Sequence, residues 1–388
     1  MGGKSLSDDL SRDAAAGEEL RFGFGANWAD YVKHHLSDER VEIAQRHLLG
    51  KLKLPHLEGK TLLDIGCGSG LHSLAALRAG AAGVTSFDYD PQSVATTGKL
   101  HELSGSPAHW RVMQGSVLDD RFIDGLPKHD IVYSWGVLHH TGSMWKAIEN
   151  AARCLHEASV FYIALYSRDA ITNPSPEHWL DVKRAYNRAS RLTRAWMEWR
   201  YAWNDYIRRD LANGRNPLIH IREYKKARGM SYWHDVRDWL GGWPMEFAGH
   251  AETVRFCRER LGFECVLVRA GEANTEYVMR KIGARNYWDE ILNASPLVDL
   301  RPPFTPAGGF AWRADASKQA STLGEPARLM LYEDGVPIGW PNQSPDAIKH
   351  WGRGRYGVDN GDLVFSSTDN SDPHQGGRSY QYRIDFFS

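Results

Sequence analysis

Five short apolar runs alternate with helix-length segments between Thr61 and Tyr166, and this alternation constrains the fold more than any other feature of the chain. The runs read TLLDIGC, VTSFDYD, HWRVMQG, DIVYSWGVL and SVFYIALY. Strands separated by helices pair in parallel and need helices on both faces of their sheet. The sequence therefore predicts an α/β fold with a parallel sheet.

Composition divides the rest of the 388-residue chain into segments of different character. Residues 1–20 are small, polar and acidic and predict a flexible leader, so the α/β domain spans 21–170. Residues 171–250 are polar and aromatic without a strand pattern, which predicts a helical insertion. Residues 251–283 return to helix, strand and strand, the elements that would complete a seven-stranded sheet. Residues 284–388 hold short segments punctuated by Pro, Gly, Asn and Asp, and predict a separate all-β accessory domain resembling a β-sandwich.

Overall composition excludes several classes of protein. Apolar residues make up 42% of the chain and charged residues 24%, and the formal net charge is −1, which indicates a globular protein that is not a general polyanion binder. A bilayer span needs about 20 consecutive apolar residues and a signal peptide needs an apolar core; neither pattern is present, so we expect a cytoplasmic location. The four cysteines lack CxxC spacing, which favours reduced thiols over a zinc site.

A glycine-rich loop, DIGCGSG from Asp64 to Gly70, follows the first predicted strand and opens a helix. Glycines allow a tight turn and bring backbone N–H groups against a ligand, so the loop predicts a nucleotide-type ligand. Leu71 stands where a dinucleotide fingerprint needs glycine, and the P-loop lysine is absent, which disfavours NAD and ATP. Asp88 ends the second strand, where a carboxylate can accept hydrogen bonds from both ribose hydroxyls.

These motifs, together with QGSVLDD and SWGVLHH after the third and fourth strands, resemble those of class I S-adenosylmethionine-dependent methyltransferases. The resemblance covers residues 21–283 and implies a Rossmann-like seven-stranded methyltransferase sheet with S-adenosylmethionine as cofactor. FGANWADY and RGMSYWHDVRDWLGG resemble a little-characterised bacterial branch whose members often accompany glycan or secondary-metabolite pathways.

The resemblance also implies which residues bind the cofactor. The loop would meet the methionine part and Asp88 the ribose, while Tyr89, Ser116 and Val117 would lie around the adenine. Many relatives carry aspartate where Ser116 stands, and a hydroxyl accepts from the adenine amino group more weakly. Trp28 would either close over the cofactor or anchor the core. The residues implied are Trp28, Asp64, Gly66, Cys67, Gly68, Ser69, Gly70, Asp88, Tyr89, Ser116, Val117 and Trp135.

The methyl acceptor is expected beyond the carboxyl end of the fourth strand. A hydroxyl acceptor benefits from a general base, whereas a thiol with a pKa near 8.5 needs less help. His139 and His140 are the first candidates, and adjacent residues at an extended strand end point in opposite directions, so only one should face the acceptor. Tyr166, His234 and Asp235 are the next candidates, with capping and packing as their alternative role. No metal site is predicted.

The sequence therefore predicts methyl transfer to a small-molecule or glycan acceptor, with oxygen favoured and sulfur or nitrogen left open. The alternative from another class is a non-catalytic scaffold or sensor that binds the cofactor. Eight basic residues and several aromatic residues lie between Lys183 and Arg209, where acidic residues are Glu198 and Asp205 only. We interpret this segment as a lid or as a subunit interface of a homo-oligomer, in preference to a nucleic-acid surface.

Overall fold

The computed structural model describes residues 22, 25, 37–170, 174–219, 221–222, 232–271, 273–314, 329–339 and 341–384. The predicted leader, residues 1–20, and Trp28 lie outside the described residues. Among the helices of the described part, none is both long enough and apolar enough to cross a membrane.

Seven strands form the central sheet in the order β3-β2-β1-β4-β5-β7-β6. Strands β1 to β5 run parallel, and β7 lies antiparallel between β5 and β6. This topology confirms the predicted α/β fold, and β6 and β7 complete the sheet. The strands are β1 Thr61–Ile65, β2 Gly83–Asp88, β3 Trp110–Gln114, β4 His129–Trp135, β5 Leu155–Tyr166, β6 Phe263–Ala270 and β7 Asn274–Lys281.

Helices cover both faces of this sheet because successive strand residues point to opposite sides. Leu62 and Ile131 belong to the core on one face, and Leu63 and Val132 to the core on the other. The helices are α1 Asp38–Leu52, α2 Leu71–Arg78, α3 Pro91–Leu103, α4 Asp120–Asp124, α5 Met144–Ala152, α10 His250–Leu261 and α11 Trp288–Ala294. The four helices numbered between α5 and α10 belong to the insertion.

The described part of the insertion between β5 and α10 consists of helices joined by loops. Its elements are α6 Pro176–Arg188, α7 Arg191–Ala202, a π-turn Trp203–Ile207, α8 Arg208–Ala212 and α9 Tyr232–Gly241. Tyr186, Ala202, Tyr232, Val236 and Leu240 form a small core of their own between α6, α7 and α9. The insertion is therefore a packed layer above the carboxyl end of the sheet.

The terminal region folds into two four-stranded sheets that share one apolar core, as the strand pattern predicted. One sheet has the order β13-β14-β10-β9 and the other β12-β11-β15-β8. The elements are β8 Val298–Leu300, β9 Thr305–Gly308, β10 Ala311–Ala314, β11 Leu329–Glu333, β12 Val336–Pro337, α12 Pro345–Trp351, β13 Tyr356–Asp359, β14 Asp362–Phe365 and β15 Tyr380–Ile384.

The boundary of this β domain differs from the predicted position at residue 284. Helix α11 packs on the central sheet, where Trp288 is buried in the same core as Leu62. The two parts are also joined tightly, because Met330 and Tyr332 of β11 belong to the core of the α/β domain. The sequence pattern missed this contact because a strand that packs on a neighbouring domain has the same alternation as one that packs within its own.

Candidate active site

A cavity of about 870 Å³ opens where β1, β2, β4 and β5 end, beneath the helical insertion. Most of the predicted site residues lie together there, because the carboxyl ends of parallel strands meet at one edge of the sheet. Gly70 and His139 do not line the cavity; Trp28 lies outside the described residues, and the side chain of His234 in α9 is also outside them. The predicted residues that line it are Asp64, Gly66, Cys67, Gly68, Ser69, Asp88, Tyr89, Ser116, Val117, Trp135, His140, Tyr166 and Asp235.

The glycine loop takes a conformation that side chains rarely allow. Gly66, Gly68 and Gly70 have φ of +74°, +54° and +75°. A Cβ on Gly66 would lie 2.3 Å from Cγ1 of Val137, and one on Gly70 would lie 2.9 Å from Cγ2 of Thr97. Gly66 therefore lets the loop approach the segment after β4, and Gly70 lets α2 begin against α3. Close packing of the protein on itself explains both glycines.

Asp64 ends a chain of buried hydrogen bonds that fixes its orientation. Trp110 Nε1 donates to Ser86 Oγ at 2.8 Å, the Ser86 and Ser73 hydroxyls lie 2.7 Å apart, and Ser73 Oγ donates to Asp64 Oδ2 at 2.5 Å. Burial raises the pKa of Asp64 to about 7, although the Ser73 hydrogen bond opposes the shift, and the Asp88 charge adds to it. A cation placed beside Asp64 would be held strongly.

Asp88 is held by backbone donors on both of its oxygens. Gly68 N donates to Oδ2 at 3.0 Å and Asp90 N donates to Oδ1 at 2.9 Å. Each oxygen keeps a second lone pair, so the carboxylate can still accept two hydroxyl groups. Burial raises its pKa, and its backbone hydrogen bonds limit the rise. Asp90 in turn accepts from Gly25 N at 2.8 Å, which places Gly25 at the cavity edge.

Apolar and aromatic surfaces also line the cavity. Val117 is buried, whereas Tyr89 and Trp135 expose 48% and 40% of their surface although they line the cavity. Large rings that are this accessible inside a cavity offer flat contact to a planar ligand. Ser116 Oγ accepts from Leu118 N at 3.2 Å, so the hydroxyl already shapes its own turn.

His139 and His140 have different environments. They lie in a 3₁₀ turn, Leu138–His140, and not on an extended strand end. His139 is fully buried, its Nδ1 accepts from Tyr166 N at 3.3 Å, and burial holds its pKa well below the usual range. His140 lines the cavity, and its Nδ1 lies 2.8 Å from the Pro244 carbonyl oxygen. Because a carbonyl only accepts, Nδ1 carries the proton, and Nε2 of the neutral ring is the nitrogen able to take one.

Comparison with known proteins assigns the chain to a family. A family model described as a methyltransferase domain matches residues 32–227, about half of the chain. The chain belongs to this methyltransferase family. The sheet order and the carboxylates at the ends of β1 and β2 agree with that assignment. The family match and the fold together place the chain among the class I S-adenosylmethionine-dependent methyltransferases.

Individual relatives are distant or match over short segments. Ribosomal protein L11 methyltransferases of Xanthomonas campestris and Aliivibrio fischeri are 45% identical over 56 residues and 55% identical over 38 residues. These segments are 14% and 10% of this chain, and 18% and 13% of the relatives. The chain thus matches less than a fifth of the length of these relatives.

Similar solved structures include magnesium protoporphyrin IX methyltransferase from Synechocystis with bound SAH, at 13% identity and a TM-score of 0.40, covering 69% of this chain and 99% of that one. An O-methyltransferase family protein from Burkholderia thailandensis aligns at 14% identity and a TM-score of 0.40, covering 71% and 63% of the two chains.

The residues of this methyltransferase fit S-adenosylmethionine. The cofactor carries an ammonium and a sulfonium group, and the cavity presents the buried carboxylate of Asp64 and the partly buried carboxylate of Asp88, whose pKa values are raised by desolvation. Asp88 can accept ribose hydroxyls, and Tyr89 and Trp135 offer flat surfaces. The donor set therefore suits a cationic nucleoside.

Lys183 of α6 is a cavity residue that the sequence did not single out. It is 1% exposed, its Nζ donates to the Trp239 carbonyl oxygen, and Nζ lies 4.4 Å from the centre of the Trp239 ring. Burial lowers the pKa of Lys183 to about 7, although the Asp238 charge opposes the shift. In the sequence it is one of eight basic residues between Lys183 and Arg209, and only the packing of α6 against α9 distinguishes it.

Glu276 of β7 is a second cavity residue that the sequence did not identify. Its carboxylate accepts from His47 Nε2 at 3.3 Å and from Tyr162 at 2.8 Å, and it pairs with Lys51 at 2.9 Å. Burial alone would raise the pKa of Glu276, but His47 and Lys51 outweigh burial and lower it to about 2. The alternation in NTEYVMRKI puts Glu276 and Val278 on one face, which was the available signal.

Proposed function

We propose that this methyltransferase methylates an oxygen atom of a small molecule or glycan, with His140 as general base. The observation that carries the proposal is the position of His140, which lines the same cavity as the two carboxylates and has Nδ1 fixed by the Pro244 carbonyl oxygen. When bound, S-adenosylmethionine supplies an electrophilic methyl group. An imidazole whose Nδ1 carries the proton can act as a base through Nε2, which suits an acceptor that must lose a proton as it reacts.

The shape of the cavity supports a small acceptor. Its volume of about 870 Å³ is near the upper end of the roughly 300–1,000 Å³ typical of ligand pockets, which leaves room for an acceptor beside the cofactor. Tyr166, Trp239 and Trp243 form its acceptor-side wall together with Lys183 and Asp238. Aromatic rings with a few polar groups are common walls for small organic acceptors and sugars, and they exclude the water that would compete for hydrogen bonds.

The acceptor can be found by isotope transfer. The protein is incubated with S-adenosylmethionine carrying a deuterated methyl group and with fractionated extract of the host, and mass spectrometry identifies compounds that gain the label. We expect a labelled methyl ether, because a hydroxyl acceptor is the one that needs a general base. A label on nitrogen or sulfur would refute the oxygen proposal. Binding of S-adenosylmethionine with neither S-adenosylhomocysteine formation nor any labelled compound would favour the scaffold alternative.

The base is then tested with the identified acceptor. His140→Gln should lower kcat by roughly 10²- to 10⁴-fold, the usual contribution of general-base catalysis, and leave cofactor affinity unchanged. The exposed His109→Gln is the matched control. If His140→Gln keeps its turnover while Lys183→Met loses it, the base is the buried lysine.

A further inference from the structure

The outer face of the insertion carries a row of exposed apolar side chains, which we call the α7 ridge: Leu192, Trp196, Trp199 and Trp203. The first three are four and three residues apart on α7 and so share one face of the helix. Their exposed fractions are 85%, 59% and 59%, and Trp203 follows in the π-turn with 49%. Contiguous exposed apolar surface of this kind marks an interaction site more often than scattered apolar residues do.

The opposite face of α7 is anchored in the protein. Glu198 is buried, accepts from the Tyr186 hydroxyl at 2.7 Å and pairs with Arg237 at 3.1 Å, and Ala202 is fully buried. These contacts fix which side of the helix faces inward. The α7 ridge is therefore held outward by specific contacts, and a rotation that buried the tryptophans would break the Glu198 contacts.

The surface around the ridge is cationic although the whole chain is nearly neutral. Glu198 and Asp210, the acidic residues between 188 and 215 whose side chains are described, are both buried. Arg200 lies over the Trp196 ring at 5.4 Å from its centre. Six arginines of this segment are exposed: Arg188, Arg191, Arg200, Arg208, Arg209 and Arg215.

We propose that the α7 ridge docks this enzyme on an anionic lipid surface, with the ridge in the headgroup region and the arginines on the lipid phosphates. Helices that lie in a membrane interface combine tryptophan and leucine on one side with basic residues around them. Tryptophan suits this depth because its ring is apolar and its N–H is polar. Each basic residue near an anionic leaflet adds to the attraction.

Two other occupants fit the ridge less well. A symmetric dimer through this face would bring the same patch of each copy together and place arginine against arginine. Single-stranded nucleic acid could stack its bases on the tryptophans, but it would leave Leu192, the most exposed member of the ridge, in water. The docked orientation would also place the helices that cover the cavity, α6 and α9, next to the membrane.

The test is flotation of the full-length protein with lipid vesicles on a density gradient. Vesicles of phosphatidylcholine with phosphatidylglycerol should carry the protein upward, pure phosphatidylcholine vesicles should carry much less, and added salt should weaken the binding because it screens the arginines. The double variant Leu192→Ser and Trp196→Ser should bind at least about tenfold more weakly. Trp351→Ser is the matched control, because Trp351 is 47% exposed but lies in the β domain.

A double variant that binds as tightly as the wild type would overturn the proposal. So would equal binding to neutral and anionic vesicles, a dimer in light scattering that the double variant abolishes, or retardation of single-stranded RNA that competes with vesicles. Brominated lipids provide a second readout. They should quench the tryptophan fluorescence of the wild type, and they should quench that of Trp196→Ser less. Absence of quenching in the wild type would also refute docking.

Discussion

Cofactor affinity should fall as the pH is lowered below 7, because Asp64 must lose a proton to receive a cation. Burial raises the pKa of Asp64 to about 7 in the free protein. If the cofactor ammonium returns this pKa to an ordinary value of about 3.9, binding becomes roughly fifty-fold weaker between pH 7 and pH 5. Asp88 also has a raised pKa, so its protonation acts in the same direction.

The assay is isothermal titration with S-adenosylmethionine at several pH values, in pairs of buffers with different ionisation enthalpies. The wild type should release a proton on binding near pH 6, whereas Asp64→Asn should bind weakly and lose most of the pH dependence. An affinity that is constant from pH 7 to pH 5, with no proton release, would refute the role of Asp64.

The same shift has a consequence for the stability of the free protein. A carboxyl group with a raised pKa stabilises the fold below its unfolded pKa, and this stabilisation is lost as the pH rises through 7. A displacement of about 3 pKa units corresponds to about 4 kcal/mol. Asp64→Asn should therefore raise the Tm of the cofactor-free protein at pH 8 and change it little at pH 4.

Three further outcomes are expected. Asp88→Ala should weaken S-adenosylmethionine binding by about 2–3 kcal/mol in calorimetry, because charge-assisted bonds to the ribose are lost, and an unchanged affinity in a folded variant would contradict the ribose assignment. Gly66→Ala should reduce both Tm and cofactor affinity, since its Cβ would meet Val137, and the double variant with Val137→Ala should recover part of the Tm. Tyr332→Ala should lower the free energy of unfolding of the whole protein by about 3 kcal/mol in denaturant titrations, whereas a separate transition for the β domain would show that the two parts fold independently.

The strand ends of the cofactor site could be predicted from sequence because they follow from local chemistry. A parallel sheet brings the carboxyl ends of its strands to one edge, so Asp64, Asp88, Ser116 and Trp135 had to lie near one another once their strands were recognised. The loop glycines, whose backbone is in the left-handed region, could also be recognised from the sequence. The structural reason for glycine at these positions could not. A side chain on Gly66 would clash with Val137, and one on Gly70 would clash with Thr97. In each case the two residues are far apart in the sequence.

The acceptor side could be predicted only in part. A histidine pair after β4 was evident, but the 3₁₀ turn decides that His139 is buried and that His140 lines the cavity. Two adjacent positions in one short turn look alike in sequence, and only the packing of Tyr166 and Pro244 around them makes them different.

Periodicity, turn chemistry and strand-end position act over a few residues, so they were enough to predict the class of fold and the side chains that meet at the carboxyl ends of the strands. Tertiary packing determines which side chains of the insertion face the cavity and which face the surroundings. Lys183 and Arg200 are both basic residues of amphipathic helices, yet one is buried beneath Trp239 and the other is exposed beside Trp196. The physical reason is that burial of a charge depends on the surface against which its helix packs, and that surface comes from distant parts of the chain.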